Sequence, residues 1–229
     1  MRIVMFASKL NFETAGGSVL DLHLKAKSLY ELGHAVTVVT AFSLANKINQ
    51  SLPYVVKEED VSAAGWTSQQ RGIYKLLKKY EPEADVFYID GNNFLYGGGA
   101  YRLLGGIISV IGFFNIKLSC WSDTQNNDKK KQTLLAKLKR RIRLLVEKNL
   151  GVPVANHLDA FIFTTPMVEK LYLDFGFKKN KSHVIPDFVN TQDIINQEGL
   201  TSEVIATHQA STPPGKLILL RPDDPREGF

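Results

Sequence analysis

Three groups of residues in this sequence have the types and spacing to do chemistry. Gly16 and Gly17 stand together just before a segment of helical period. A helix start offers backbone N–H groups without internal partners and the positive end of the helix dipole, so it favours anions, and glycine lets a phosphate come close to the backbone. The same pair also serves where a loop merely has to turn, and neither a G-x-G-x-x-G fingerprint nor a Walker lysine motif accompanies it. The second group is polar and follows apolar runs: Asp90, Asn92 and Asn93 after one, Ser122, Asp123 and Thr124 after another. A carboxylate so placed orients or deprotonates a hydroxyl, or simply caps a strand end. The third is a run from Lys129 to Lys148 with nine Lys or Arg and one acid, Glu147, which calls for an anionic neighbour or for solvent.

Other chemistries lack their residues. The histidines have no metal-site spacing and no Cys/His cluster exists, so neither a metal nor a cofactor is expected. His34 reads as the closing residue of a helix-to-strand turn and His23 as a helix-surface residue. Ser109 and Ser119 have no nucleophile elbow around them. The single Cys120 excludes an internal disulfide, fits a reducing compartment, and reads as a buried thiol. The N-terminus is strand-like from residue 2 and lacks a signal-peptide pattern, so a cytoplasmic location is expected. At 229 residues, 44% hydrophobic and 22% charged, with a net charge of +5, the composition is that of a soluble globular protein with a real core.

The elements that must position these residues follow from periodicity. Residues 2–8 form an apolar strand, residues 18–32 a helix with Leu22, Ala26, Leu29 and Tyr30 on one face, Gly33 its stop, and residues 35–40 a β-branched strand. Residues 54–57 read as a short strand. Residues 67–80 read as a helix burying Ile73, Leu76, Leu77 and Tyr80, stopped by Pro82, and residues 85–90 as the strand that delivers Asp90. Residues 103–114 are too short to span a bilayer and read as a buried helix, followed by a buried strand over 116–121.

Residues 129–150 read as a long helix with an apolar stripe of Leu134, Leu138, Ile142, Leu145 and Val146. It either packs on the sheet with a solvated charged back or lies on an anionic membrane face. A nucleic-acid groove is a third option, disfavoured because no aromatic residues interleave with the charges. Residues 159–164 are a strand, Thr164 or Thr165 with Pro166 caps a helix over 167–175, Gly176 ends it, and residues 183–186 are a short strand. Periodicity then lapses over residues 196–216, which read as a linker, and residues 217–220 open a new strand. The alternation of strands and helices predicts an α/β fold with a doubly wound, mostly parallel sheet and helices on both faces.

In this order, the motifs resemble the retaining, nucleotide-sugar-dependent glycosyltransferases of the GT-B fold, the large family 4 group. The opening strand, Gly16-Gly17, the helix and Gly33-His34 match the family's beginning. LDAFIFTTPMVEKLYLDFGF matches its strand, hydroxyl and helix segment, VIPDFVNTQDI its isoleucine-proline turn, and LILLRPDDPREGF the first strand of its second domain. The resemblance implies a Rossmann-like acceptor domain over 1–195, a linker over 196–216, and the start of a truncated donor-binding domain over 217–229. It implies a nucleotide-sugar donor held mainly by that second domain, a saccharide or lipid-linked acceptor, and no nucleic acid. Arg221 fits the family's diphosphate-binding arginine, and Gly16 and Gly17 meet the same diphosphate from across the cleft.

Asp123 is then the candidate catalytic carboxylate, with Asp90, Asn92 and Ser122 as substrate-binding residues. Ser122 stands where many relatives have histidine, and a hydroxyl hydrogen bonds but carries no charge. The expectation is the acceptor half of an enzyme of polysaccharide biosynthesis, inactive alone, on the inner face of the membrane through residues 129–148. Two alternatives stay open: a non-enzymatic membrane- or nucleic-acid-binding α/β module, and a GT-B nucleotide-sugar epimerase.

Overall fold

A computed structural model of the chain describes residues 1–13, 17–61, 66–114, 141–142 and 144–186, all within one compact unit. Gly16, Ser122, Asp123, Arg221, the strand expected over 116–121 with Cys120, most of the basic helix, the linker and the last strand lie outside these residues.

Seven strands form one sheet: β1 (Arg2–Ala7), β2 (Ala35–Thr40), β3 (Val55–Glu58), β4 (Val86–Asp90), β5 (Ser109–Phe114), β6 (Ala160–Phe163) and β7 (Ser182–Val184). Their order is β3-β2-β1-β4-β5-β6-β7 and every neighbouring pair is parallel. The expected doubly wound α/β fold is therefore present, with successive strands added outward on either side of β1 and β4. Because side chains alternate across a strand, β1 sends Ile3, Met5 and Ala7 to one face and Val4 and Phe6 to the other.

Helix α1 (Gly17–Glu31) covers the first face with Val19, Leu22 and Ala26. It also buries Asp21 and Lys25, one turn apart and joined at 2.5 Å, with the Lys25 ammonium 3.1 Å from the centre of the Phe113 ring. Tyr30, expected inside, is exposed: the neutralised pair lets the helix roll a polar edge onto β5, and the apolar stripe starts at Val19 instead. His23 is likewise not a plain surface residue. Its Nδ1 lies 2.7 Å from the Tyr54 hydroxyl and its ring meets Phe12 edge-on, and burial, followed by the Lys27 charge, lowers its pKa.

The second face carries α2 (Trp66–Tyr80), α3 (Leu95–Leu103), α4 (Val152–Ala155) and α5 (Pro166–Phe175). Ile73, Leu76, Leu77 and Tyr80 of α2 are all buried there, as their spacing predicts. Thr165 caps α5 by accepting from the Val168 amide, Pro166 follows, and Gly176 closes the helix at φ +114°, a value only glycine takes without strain.

Residues 103–114 depart from the sequence reading. Only Leu103, the last residue of α3, is helical; a turn through Gly105 at φ +83° then reverses the chain, and β5 follows. The reason lies upstream, in a run the periodicity did not mark. Gly97, Gly98 and Gly99 are helical, and each faces a different neighbour. A Cβ at Gly97 would come within 2.6 Å of Ile73 in α2, one at Gly98 within 3.1 Å of Ile89 in the sheet, and one at Gly99 would strike the Val154 carbonyl of α4. Bare backbone on three sides lets α3 sink into the layer, and its burial satisfies what the sequence reading assigned to the next segment.

The described end of the basic helix also differs from expectation. Ile142, Leu145 and Val146 of the expected stripe are exposed; Leu144 packs against the core and Glu147 is buried. A π turn over Glu147–Gly151 shifts the face by one residue there, so that Glu147 accepts from the Tyr96 hydroxyl at 2.5 Å and Gly151 packs on the Tyr96 ring.

Two predictions follow from these contacts. Ala is a better helix former than Gly by about 1 kcal/mol, but a Cβ at Gly99 meets backbone that cannot rotate away. Gly99→Ala therefore destabilises by about 1–3 kcal/mol, while Gly17→Ala, whose Cβ meets nothing within 4 Å, stays within about 0.5 kcal/mol of the wild type; urea unfolding of both variants checks this. Glu81 joins α2 to the α3–β5 turn, accepting from the Ile107 amide at 2.9 Å, from Lys78 at 2.9 Å and from the Tyr101 hydroxyl at 2.7 Å. Chiefly through the Ile107 amide, its pKa falls from 4.5 to about 2. A depressed carboxylate stabilises above its unfolded pKa and loses that contribution as pH drops, so part of the stability disappears between pH 4.5 and about 2. Glu81→Gln removes that part of the acid slope in a series of melting temperatures against pH.

Candidate functional site

In an open parallel sheet, loops that leave adjacent strands in opposite directions open a crevice at the C-terminal edge. Here the reversal falls between β1 and β4: β1 connects through α1 to β2 on one side, and β4 through α3 to β5 on the other. Gly17 and Asn92 belong to the two loops that border this crevice, with Asp90 at the end of β4 beneath them.

Gly17 is the first residue of α1. A Cβ there would meet nothing within 4 Å, and its φ lies outside the positive region. Among the described residues neither packing nor turning demands glycine here, and bare backbone at a helix start lets an anion come close. The first turn holds no acidic side chain that would oppose an anion.

The loop after β4 is held from three directions. Gly91 turns it at φ +88°, and its amide bonds the Phe113 carbonyl at 3.0 Å. Tyr172 of α5, fully buried against Phe114 and Phe163, donates its hydroxyl to Asn92 Oδ1 at 2.7 Å. Gln70 of α2 donates to the Asn93 carbonyl at 2.9 Å and accepts from the Gly97 amide at 2.7 Å, so one side-chain amide fastens both the loop and the start of α3. Asn93 in turn donates to Ser8 Oγ at 2.9 Å, bridging from the β4 loop to the end of β1. Asp90 is half-buried on the α1 side of the sheet, in line with Val86 and Tyr88.

Gly17, Asp90 and Asn92 thus all lie toward the C-terminal edge of the sheet, Asp90 on the α1 side and Asn92 engaged by Tyr172 from the α5 side. Ser8 and Gln70 were not singled out in the sequence. A serine after a strand and a glutamine on a helix carry no periodic signal, and only the packing of α2 and α3 shows what they hold. Among the described residues, no group of three His, Cys, Asp or Glu side chains is close enough to hold a metal ion, and no helix is long and apolar enough to cross a membrane. The arrangement pairs an anion-favouring helix start with a neutral polar loop, which suits a ligand carrying both phosphate and hydroxyl groups.

Comparison with known proteins bears on the fold and the family. No curated protein sequence matches the chain. Among solved structures it is similar to a trehalose-6-phosphate synthase, OtsA, at 13% identity, with a TM-score of 0.58 over 92% of this chain and 55% of that one. It is similar also to Anabaena HepE in complex with UDP and glucose, at 13% identity and a TM-score of 0.51 over 87% of this chain and 50% of that one. A third is a UDP-forming α,α-trehalose-phosphate synthase from Burkholderia xenovorans in complex with glucose-6-phosphate, at 13% identity and a TM-score of 0.53 over 91% and 55% of the two chains. At such identities the likeness concerns the fold, and the chain spans about half the length of these proteins. The model of Glycosyltransferase Family 4 matches residues 15–193, most of the chain and nearly all of its described elements, and the protein therefore belongs to that family.

Proposed function

We propose that this chain is the acceptor-side half of a retaining glycosyltransferase that moves a sugar from a nucleotide-sugar donor to a saccharide or lipid-linked acceptor. The observation that carries the reading is the crevice between β1 and β4, where a helix start free of acidic side chains faces a loop held rigidly by Gln70 and Tyr172. Two of the similar structures, one in complex with UDP and glucose and the other with glucose-6-phosphate, support a donor and an acceptor of this chemistry.

In the proposed reaction the acceptor hydroxyl attacks the anomeric carbon and the nucleoside diphosphate departs with the bonding pair. The developing charge lies on that diphosphate, so backbone N–H groups at Gly16 and Gly17 and the guanidinium of Arg221 are its stabilisers. Asp123 orients or deprotonates the acceptor hydroxyl, with Ser122, Asp90 and Asn92 as hydrogen-bonding partners of the sugars. In this reading the donor is held mainly by a second domain that begins at 217, and residues 1–229 do not transfer sugar alone; the chain spans about half the length of the similar structures. Cysteine usage favours work on the cytoplasmic side.

The intact protein, incubated with a panel of labelled nucleotide sugars and saccharide or lipid-linked acceptors, transfers sugar with retained configuration, and residues 1–229 alone do not. Asp123→Asn lowers kcat by about 100-fold or more, the usual scale for a positioned acid–base group. Transfer by the isolated chain, or isomerised donor with no transfer, would replace this reading with a self-sufficient enzyme or an epimerase.

One observation supports a membrane surface as a further partner. Ile142, Leu145 and Leu150 are exposed at 52%, 61% and 65% beside the exposed Arg141 and Lys148. Apolar insertion with surface-near cations at about 1 kcal/mol each gives reversible binding to anionic lipid. In a flotation assay the chain accompanies vesicles containing phosphatidylserine, and Leu145→Glu with Leu150→Glu abolishes this; equal flotation with neutral vesicles sinks the proposal.

A further inference from the structure

From the hydrogen-bonding capacity left at the floor of the crevice, we infer that Ser8 and Asn93 form a subsite for a saccharide hydroxyl. Ser8 follows the last residue of β1 and Asn93 lies three residues past the end of β4, the two strands on either side of the reversal in sheet order. Asn93 Nδ2 donates to Ser8 Oγ at 2.9 Å. That bond occupies a lone pair of the serine and leaves its O–H without an acceptor among the described residues. It occupies one donor of the asparagine and leaves Oδ1 without a donor there, with the side chain exposed.

The pair therefore presents one donor and one acceptor side by side. Turning the Asn93 amide over does not change this result. Ser8 would then donate to Oδ1, leaving the serine lone pairs as the acceptor and Nδ2 as the donor. Phosphate oxygens only accept and an ammonium only donates, so either leaves half of the pair unsatisfied. A hydroxyl both donates and accepts through one atom and satisfies both halves.

The pair is also preorganised. Its loop is fastened by Gln70 through the Asn93 carbonyl, by Tyr172 through Asn92, and by Phe94, the next residue, which is fully buried. Ser8 is fixed from the other side, since its carbonyl accepts from the Phe42 amide at 3.0 Å. A ligand hydroxyl thus meets groups whose ordering cost has already been met by folding. The chain that follows Ser8 leads to the start of α1 at Gly17, which favours an anion. The crevice is divided: a phosphate at the helix start, a sugar ring over Ser8 and Asn93.

The assignment rests on the glycosyltransferase reading for the ligand's class, and the test separates the two. Residues 1–229 are titrated by ligand-observed NMR with a panel of methyl glycosides and, separately, with inorganic pyrophosphate. Ser8→Ala and Asn93→Leu weaken the best-binding glycoside about tenfold, the scale of one lost hydrogen bond with its partner left unpaired. Ser8→Thr, which keeps the hydroxyl, stays within about twofold of wild type, and pyrophosphate binding is unchanged by Ser8→Ala. In the intact enzyme Ser8→Ala raises the acceptor KM with little change in kcat. Wild-type glycoside affinity in a folded Ser8→Ala, equal loss of pyrophosphate, or no glycoside binding by the wild type overturns the subsite. Transfer by the intact wild type then still upholds the glycosyltransferase reading, and its absence with every donor sinks that reading instead.

Discussion

A helix that carries glycine at three consecutive positions has nothing to hold it off its neighbours, and the arrangement around α3 depends on that. Gly97 meets α2 and Gly99 the backbone of α4 at distances no Cβ would allow, and Gly98 meets the sheet at a distance that would be tight for one. Glycine costs about 1 kcal/mol per helical position relative to alanine. Close packing on three sides and the full burial of Phe94, Leu95 and Tyr101 offset that cost. Because α3 begins two residues after Asn93, its depth in the layer sets the height of the β4 loop at the crevice.

From this follows the way the crevice is built. Gln70 reaches its two backbone partners, one in the loop and one in α3, where Gly97 lets α3 approach α2 closely. Tyr172 reaches Asn92 from the opposite side because it lies in an aromatic cluster with Phe114, Phe163 and Phe177, with ring centres 4.9–5.7 Å apart. Across the crevice, α1 is held on β5 by the Lys25 contact with Phe113, and its N-terminus carries no acidic residue. One wall thus offers the partial positive charge of a helix start and the other neutral donors and acceptors.

How much of this was legible in the sequence depended on the kind of signal. Strands β1, β2, β4 and β6 could be read from β-branched and apolar runs, α2 from its 3.6-residue stripe, and α5 from Thr165, Pro166 and Gly176, because these signals are local. Residues 103–114 were misread because an apolar run of that length suits a buried helix and a buried strand equally, and the turn at Gly105 decides between them. The stripe of the basic helix did not hold at Ile142 and Leu145, where Leu144 and Glu147 face the core instead, and the π turn that follows over Glu147–Gly151 carries no periodic signal. His23 and Tyr30 were misplaced because a buried Asp21–Lys25 pair turned α1 away from its most apolar orientation.

The sequence by itself determined the class of the protein: an alternation of strands and helices that argues for a mostly parallel, doubly wound sheet, a glycine pair before a segment of helical period, and the ordered motifs of a glycosyltransferase family. Those are properties of segments, and segments keep their preferences wherever the chain carries them. What only the tertiary structure decided is which polar groups meet. Ser8 and Asn93 are 85 residues apart and Tyr172 and Asn92 are 80, and no local preference of either partner encodes the distance between them. Side-chain hydrogen bonds depend on angstroms set by packing, here the depth to which three bare glycines let one helix sink.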